Sequence, residues 1–497
     1  MERTTDRSIE QTSSRELLVD LAAAPRGQLG LELQRRLRDA IRSGRLRGDA
    51  ALPSTRALAA DLGVSRSVVV LAYEQLAAEG YLLTRRGAAA RVAALQPQTP
   101  AARASRPAPP AAPAAVDFRP GTADLASFPR AEWERAVRRS LATLPDAALG
   151  YGDSRGLPRL REALADYLGR VRGAIVDPDH LVVVNGLAQG LAVVARLFRG
   201  LGIDAVGVED PGSFNTASQL DANGIGTVGV PVDRDGVDAE RLFPWAGPGG
   251  GSGGLKERSG SPPVNSLPPP RPLRAVLATP AHQFPTGVVL GAARRRRLLA
   301  WAELVDGYVV EDDYDAEFRY DHQPVATLQG LAPGRVLLGG STSKTLAPGL
   351  RLGWLAVPPH LAAEAARHKR HIDLMAPVID QAAFAELLAS GAYERHVRRN
   401  RARYRRRRDR LLELLAEHLP EATVGGAAAG MHLYVETPFL DEAAVAAEAA
   451  RRGLAVSGIG DYRRSPGPAG FVLAYGHLGP DRLRRGVRLL AAAIQAG

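Results

Sequence analysis

The 497-residue chain contains no cysteine. Disulfides are therefore excluded, and so is a thiolate metal site. Lysine is nearly absent too. Of 64 basic residues only Lys256, Lys344 and Lys369 are lysines. Arginine replaces lysine where charge is enough, but not where a primary amine must react. Each surviving lysine is therefore a candidate for chemistry. No apolar run approaches the roughly 18 residues of a membrane span. The opening stretch MERTTDRSIEQTSSRE is polar and lacks an apolar signal core. A cytoplasmic protein without a membrane partner is expected.

At 45% hydrophobic and 24% charged, the composition is that of a globular protein. The chain is too long for one ordinary core, so several domains are expected. The formal net charge of +11 permits a polyanionic partner. Residues 1–95 hold 15 Arg against 11 Asp plus Glu, an excess of only four. Pattern, not charge, has to carry any nucleic-acid argument.

Leu29, Leu33, Leu37 and Ile41 recur every four residues and predict a helix that stops by Gly44. Ser54 caps a predicted second helix, with Leu58, Ala59 and Leu62 inward. Ser65 caps a third that runs to Gly80. Tyr81-Leu82-Leu83 and Ala90-Arg91-Val92 flank Thr84-Arg85-Arg86-Gly87, a short hairpin with a basic tip. Residues 1–15 read as a disordered tail, 16–95 as this small domain, and the Pro- and Ala-rich residues 96–115 as an extended linker. Strands are predicted at Leu181–Val184, Ala205–Val208, Thr227–Val230, Ala275–Ala278, Tyr308–Glu311 and Val336–Leu338, with helices between them. Such alternation implies a largely parallel sheet in an α/β domain over 116–497. Residues 246–272 read as a disordered insertion containing a solvated Lys256. A basic helix, Arg398 to Arg410, and a smaller α+β subdomain fill about 370–497.

Three helices and a basic-tipped hairpin are the order of a winged helix-turn-helix. Ser65, Arg66 and Ser67 at the start of the third helix could reach a base edge or a phosphate. Ser54, Thr55 and Arg56 start the second helix, where N–H groups favour phosphate. Arg85 and Arg86 would follow the backbone. On spacing alone, a small helical domain with surface arginines explains the pattern equally well. The segments LPSTRALAADLGVSR and AYEQLAAEGYL carry a closer likeness. Across about residues 29–92 the chain resembles the GntR-type DNA-binding domain, which implies contact with double-stranded DNA. One departure is Arg86-Gly87-Ala88-Ala89-Ala90 in the wing, where many relatives have Pro-Gly-Ser-Gly-Thr.

A second set of residues gathers at predicted strand ends. Lys344 lies in Ser341-Thr342-Ser343-Lys344, with Arg351 seven residues on. Asp312 follows a strand, and Tyr314 comes two residues later. Gly186-Leu187-Ala188-Gln189 follows another strand and opens a helix. A reactive amine, a carboxylate, hydroxyls, an arginine and free N–H groups are what pyridoxal 5'-phosphate (PLP) requires. Singly, each is more often an ordinary surface feature. Together they occupy the strand ends where α/β folds bind ligands.

TPAHQFPTG (279–287), EDDYDAEFRY (311–320), STSKTLAPGLRLGW (341–354), DFRPGTADLASFPRAEW (117–133) and GYGDSRGLPRLREAL (150–164) resemble the fold-type-I aminotransferase domain of MocR/GabR regulators. The likeness covers about residues 116–497. It implies that Lys344 forms the imine and that Asp312 faces the pyridine nitrogen. Tyr314 would bond the ring hydroxyl. Ser341, Ser343, Arg351 and Gly186, Leu187, Ala188 and Gln189 would hold the phosphate. Tyr151 would reach the neighbouring subunit's phosphate in a homodimer. Changes at Lys256 and Lys369 are expected to leave the cofactor untouched. Three departures concern the substrate side. Phe284 stands where aminotransferases carry Asn, Ala217 stands at an Arg position, and the strand Phe471–Tyr475 lacks its carboxylate-binding Arg. Arg463 and Arg464 are the nearest substitutes in sequence.

The resemblance implies a PLP-dependent regulator of transcription with at most weak transamination. It would respond to PLP itself, and so control vitamin B6 genes, or to a small amino compound. Rival readings are a working aminotransferase with an accessory DNA-binding domain, and a DNA-binding protein whose large domain only dimerises.

Overall fold

The computed structural model describes residues 21, 28–85, 88–94, 114–246, 272–321, 325–437 and 441–496. The tail 1–15, nearly all of the 96–115 and 246–272 segments, Lys256 and Arg86 lie outside them. The chain divides into two compact units, residues 1–112 and 113–497.

In the first unit, helices Leu29–Arg42, Thr55–Asp61 and Arg66–Ala78 bury Leu33, Leu37, Ile41, Leu58, Val69, Ala72, Tyr73 and Leu76 against one another. The four-residue spacing of the first helix is the face that packs. Ser54 caps the second helix, its hydroxyl accepting from the Ala57 N–H at 3.2 Å. Ser65 holds the N-cap position of the third, but its side chain makes no capping bond. The expected cap is replaced by a 2.8 Å hydroxyl pair with Ser67, a nearer partner. Tyr73 ties this helix to the preceding turn by donating to the Pro53 carbonyl at 3.0 Å. Leu82–Leu83 and Arg91–Val92 pair antiparallel, which completes the hairpin.

The second unit is built on an eight-stranded sheet. Its order is Leu181–Val184, Gly353–Ala356, Val336–Ser341, Tyr308–Asp313, Ala275–Ala278, Ala205–Asp210, Gly226–Asp233, Gly236–Val237. The run from Val336–Ser341 to Gly226–Asp233 is parallel throughout. Four of the six anticipated strands run past their predicted ends, and those extra residues carry Asp210, Asp312 and Ser341. Gly353–Ala356 was not anticipated and lies antiparallel to both neighbours. All four of its residues are buried, so it shows no alternation to read.

A smaller antiparallel sheet has the order Thr423–Gly425, His432–Glu436, Gly470–Ala474, Ser457–Gly458. Val116–Asp117 pairs parallel with Leu454–Ala455, which joins the start of this unit to its end. The basic helix is Ala392–His418, 27 residues long. Part of its charge is internal: Arg403 and Arg407 pair with buried Asp124, and Arg401 donates to the Glu317 carbonyl. Among the described residues, no helix is long and apolar enough to cross a membrane.

Gly340, one residue before Ser341, shows how tightly the sheet is filled. A Cβ there would stand 2.6 Å from the Trp354 ring, which itself stacks on Phe384. Gly340→Ala is expected to lower stability by about 1–3 kcal/mol, read as a lower urea midpoint. An unchanged midpoint would mean that Trp354 moves aside freely.

Candidate functional site

The first unit presents its predicted polar residues outward. Ser54, Arg56, Ser65, Arg66, Ser67 and Arg85 are exposed and Thr55 is half-buried. Arg66 Nε lies 3.5 Å from Thr55 Oγ1, so the starts of the second and third helices converge. Arg86 is outside the described residues.

The second unit contains a chamber of about 460 Å³ beyond the C-terminal ends of the parallel strands. Of the predicted residues, Lys344, Asp312, Tyr314, Ser341 and Leu187 line it. Lys344 Nζ donates to the Gly121 carbonyl at 2.6 Å. Burial lowers its pKa, and the carboxylates of Asp315 and Asp312 act in the opposite direction. Burial pushes the Asp312 carboxyl up to about 7, helped by Asp313 and Glu209. Its Oδ1 is buried without a hydrogen-bond partner. Such an orphaned oxygen is uncommon in a folded chain and calls for a ligand or a reason.

Tyr314 has its hydroxyl 3.2 Å from His282 Nδ1, and that nitrogen is 3.0 Å from Asp315 Oδ2. A ring nitrogen of His432 joins His282 and Asp315 within a span of 4.8 Å. His282 Nδ1 is already shared between Tyr314 and Asp315, so this cluster is a hydrogen-bonded support for Tyr314. Glu209 is likewise pushed up to about 7 by burial, and is held by Thr279 Oγ1 at 2.5 Å and by Gln283 Nε2 at 3.2 Å.

Beside the chamber, Gly186 at φ 78° opens helix Leu187–Gly200. The left-handed φ favours glycine, and the Arg351 guanidinium occupies the space a Cβ would need. Arg351 donates to the Asn185 carbonyl at 2.8 Å. Ser343 donates its N–H to Ser341 Oγ at 3.4 Å. Ala188 and Gln189 sit in the first helical turn. Gly186, Ala188, Gln189, Ser343 and Arg351 do not line the chamber in this chain. Tyr151 is 89% exposed and stands apart from it.

Gln189 is held from behind. Its Nε2 donates to Asp373 at 2.7 Å and its Oε1 accepts from the Asn185 N–H at 2.8 Å. Asn185 Nδ2 also donates to Asp373, at 2.8 Å. Fully buried Lys369 closes this group, its Nζ 2.5 Å from Asp373 Oδ1. Lys369, which does not line the chamber, supports the loop's scaffold through Asp373. Its spacing of four from Asp373 on a helix was the available signal.

Arg463 and Arg464 do not enter the chamber. Arg464 donates to the Thr227 carbonyl at 2.9 Å, and Arg463 packs beneath Gly467. Sequence reasoning also missed Phe214, Glu209, His432, Asp461 and Tyr462, all of which line the chamber. They come from separate segments, and only the fold brings them together.

The family described as aminotransferase class I and II matches residues 124–463. Bacterial regulatory proteins of the gntR family match residues 29–92. The probable rhizopine catabolism regulatory protein MocR of Rhizobium meliloti is 32% identical over 94% of this chain and 93% of its own. The chain belongs to the MocR-type regulators. Another relative is the HTH-type pyridoxine biosynthesis transcriptional regulator PdxR of Corynebacterium glutamicum, 32% identical over 94% of this chain and 96% of its own. Among solved structures, a kynurenine aminotransferase of Pyrococcus horikoshii in complex with PMP superposes with a TM-score of 0.67. It is 26% identical and covers 77% of this chain and 91% of that one. This MocR-type chain therefore couples a GntR winged helix to a fold-type-I aminotransferase-like unit.

Removing the Lys369 amine would leave Asp373 with two amide donors and no cation. Lys369→Met is expected to lower stability by about 3 kcal/mol, read by urea unfolding. A variant as stable as the parent would show that the amides alone satisfy Asp373.

Proposed function

We propose that this chain is a cytoplasmic, homodimeric transcriptional regulator that binds double-stranded operator DNA through residues 29–92 and holds PLP in the chamber of its second unit. The observation that carries this reading is Lys344 beside the orphaned Oδ1 of buried Asp312. A protonated pyridine nitrogen is the partner that Asp312 lacks. Among the described residues, Lys344 is the sole lysine at the site, and its lowered pKa favours the free amine needed to attach the cofactor with loss of water. When bound, PLP supplies an electrophilic carbon and an electron sink.

The other roles follow from position. Tyr314, braced by His282 and Asp315, would meet the ring hydroxyl. Ser341, Ser343, Arg351 and the N–H groups of Leu187 and Ala188 would take the phosphate. Gly186 and Gln189 would shape that loop instead, since their N–H groups already donate to the Val184 and Gly186 carbonyls at 2.8 and 3.1 Å. Tyr151 is exposed and free to reach a second subunit. In the first unit, Arg66, with Ser65 and Ser67, would enter the major groove. Thr55, Arg56, Arg85 and Arg86 would grip phosphates, and Ser54 would keep its cap.

A working aminotransferase is the rival, favoured by the complete cofactor set. Against it, Ala217 is buried in helix Phe214–Ala222, and the strand Gly470–Ala474, which lacks an arginine, brings Ala474 to the chamber lining. The regulated genes would concern vitamin B6 or an amino compound, in line with the names of the PdxR and MocR relatives.

Lys344→Ala and Lys344→Arg are expected to abolish the visible absorption band of protein loaded with PLP, since neither side chain can form the link. A borohydride-reducible adduct surviving in Lys344→Ala would overturn the assignment. In the first unit, Arg66→Ala should weaken operator binding by roughly 1–3 kcal/mol if it reads a base. Affinity should also fall steeply with salt. Footprinting should reveal two half-sites; a single half-site at every concentration would contradict the dimer.

A further inference from the structure

The residues assigned to the cofactor occupy one side of the chamber. Another wall, formed by Phe214, Phe284, Asp461, Tyr462 and Ala474, with His432 of the Tyr314 support beside them, makes no assigned contact with PLP. Building on the cofactor reading above, we propose that this wall binds a primary-amine cation that carries no carboxylate.

Its surface is aromatic and acidic. The Phe284 ring meets Tyr462 edge-on at 5.1 Å and His432 at 5.2 Å. Ring faces attract an ammonium group and are indifferent or hostile to an anion. Asp461 adds a carboxylate at the wall, and Asp315 and Glu209 stand behind it. Burial and the neighbouring His282 hold His432 well below the usual histidine range, so it is neutral. Its Nε2 is buried without a partner, and a polar ligand can satisfy it.

A carboxylate has no counterpart here. Lys344 is the only cationic side chain among the described residues lining the chamber, and the cofactor claims it. The strand that ends at Ala474 carries no arginine and brings Ala474 to the lining. Arg119 is engaged with Asp117, and Arg464 with Thr227. Arg463 has two unpartnered nitrogens but packs under Gly467, outside the lining. An amino acid would therefore set its carboxylate against acids and rings, a repulsive choice that sharpens discrimination. The occupant is an amine whose ammonium sits by Asp461 and the rings.

The test is calorimetric titration of the PLP-loaded protein with matched pairs: tyramine against tyrosine, 1,4-diaminobutane against ornithine, and isoamylamine against leucine. At least one amine should bind about tenfold or more tightly than its amino acid. Asp461→Asn should weaken that amine at least threefold and narrow its advantage over the amino acid. Amino acids binding as well as their amines would overturn the proposal, most plainly if Arg463→Ala abolished that binding. So would a loaded protein that binds no amine of the panel. A protein that never acquires the cofactor band fails the earlier reading instead.

Discussion

Asp312 sits at the end of a central parallel strand, in register with Gly339 on the next, with an oxygen that nothing among the described residues satisfies. Burying a carboxylate in this way costs several kcal/mol unless a cation or donor arrives. Its surroundings worsen the cost: Asp313 and Glu209 both push its pKa upward. Lys344 is the one nearby cation that opposes them, and Lys344 is itself disfavoured as a cation by burial. The large unit thus holds a matched pair of groups, neither settled without a third component. Folding alone gives no reason for this arrangement; a ring with a basic nitrogen and an aldehyde gives one.

Much of the surrounding structure keeps that pair in place. Gly340 and Trp354 close the sheet beneath Ser341, so the segment that carries Lys344 leaves the strand at a fixed point. On the neighbouring side, Lys369 and Asp373 lock Asn185 and Gln189, and Arg351 fills the space over Gly186. The loop is therefore fixed by side chains from two other segments. The N–H groups of Asn185, Gly186 and Gln189 are taken up within the loop, which leaves those of Leu187 and Ala188 at the helix start for a ligand.

The sequence was most legible where one short segment held both the pattern and the chemistry. The first helix packs on the face that its Leu29-to-Ile41 spacing marks, and Lys344, Asp312 and Tyr314 stand together because each follows a recognisable strand. Legibility failed where the deciding partner was remote. Gly353–Ala356 is buried on both faces and shows no period. Val116–Asp117 acquires its partner more than 330 residues later. The Ser65 hydroxyl pairs with Ser67 instead of accepting a capping N–H, a choice between two partners that spacing cannot rank. Lys369 appeared idle because Asn185 and Gln189, the groups it supports through Asp373, lie on a different segment.

The three departures noticed in the sequence become one fact once the chamber is seen. Phe284 is not merely a missing Asn: it forms the centre of an aromatic cluster with Tyr462, His432 and Tyr314. The strand Gly470–Ala474 not only lacks an Arg: it brings the small side chain of Ala474 to the chamber lining. Ala217 is packed inside a helix and offers the chamber nothing. An enzyme that shuttles amino acids needs its carboxylate clamp to orient the bond that reacts. Losing the clamp while retaining Lys344, Asp312 and the braced Tyr314 removes that orientation but preserves the means to hold the cofactor. A binding-driven change of state requires only that a ligand prefer one conformation over another. Retention of the cofactor side and replacement of the substrate side are therefore consistent with a sensor, in which the chamber reads occupancy rather than turning substrate over.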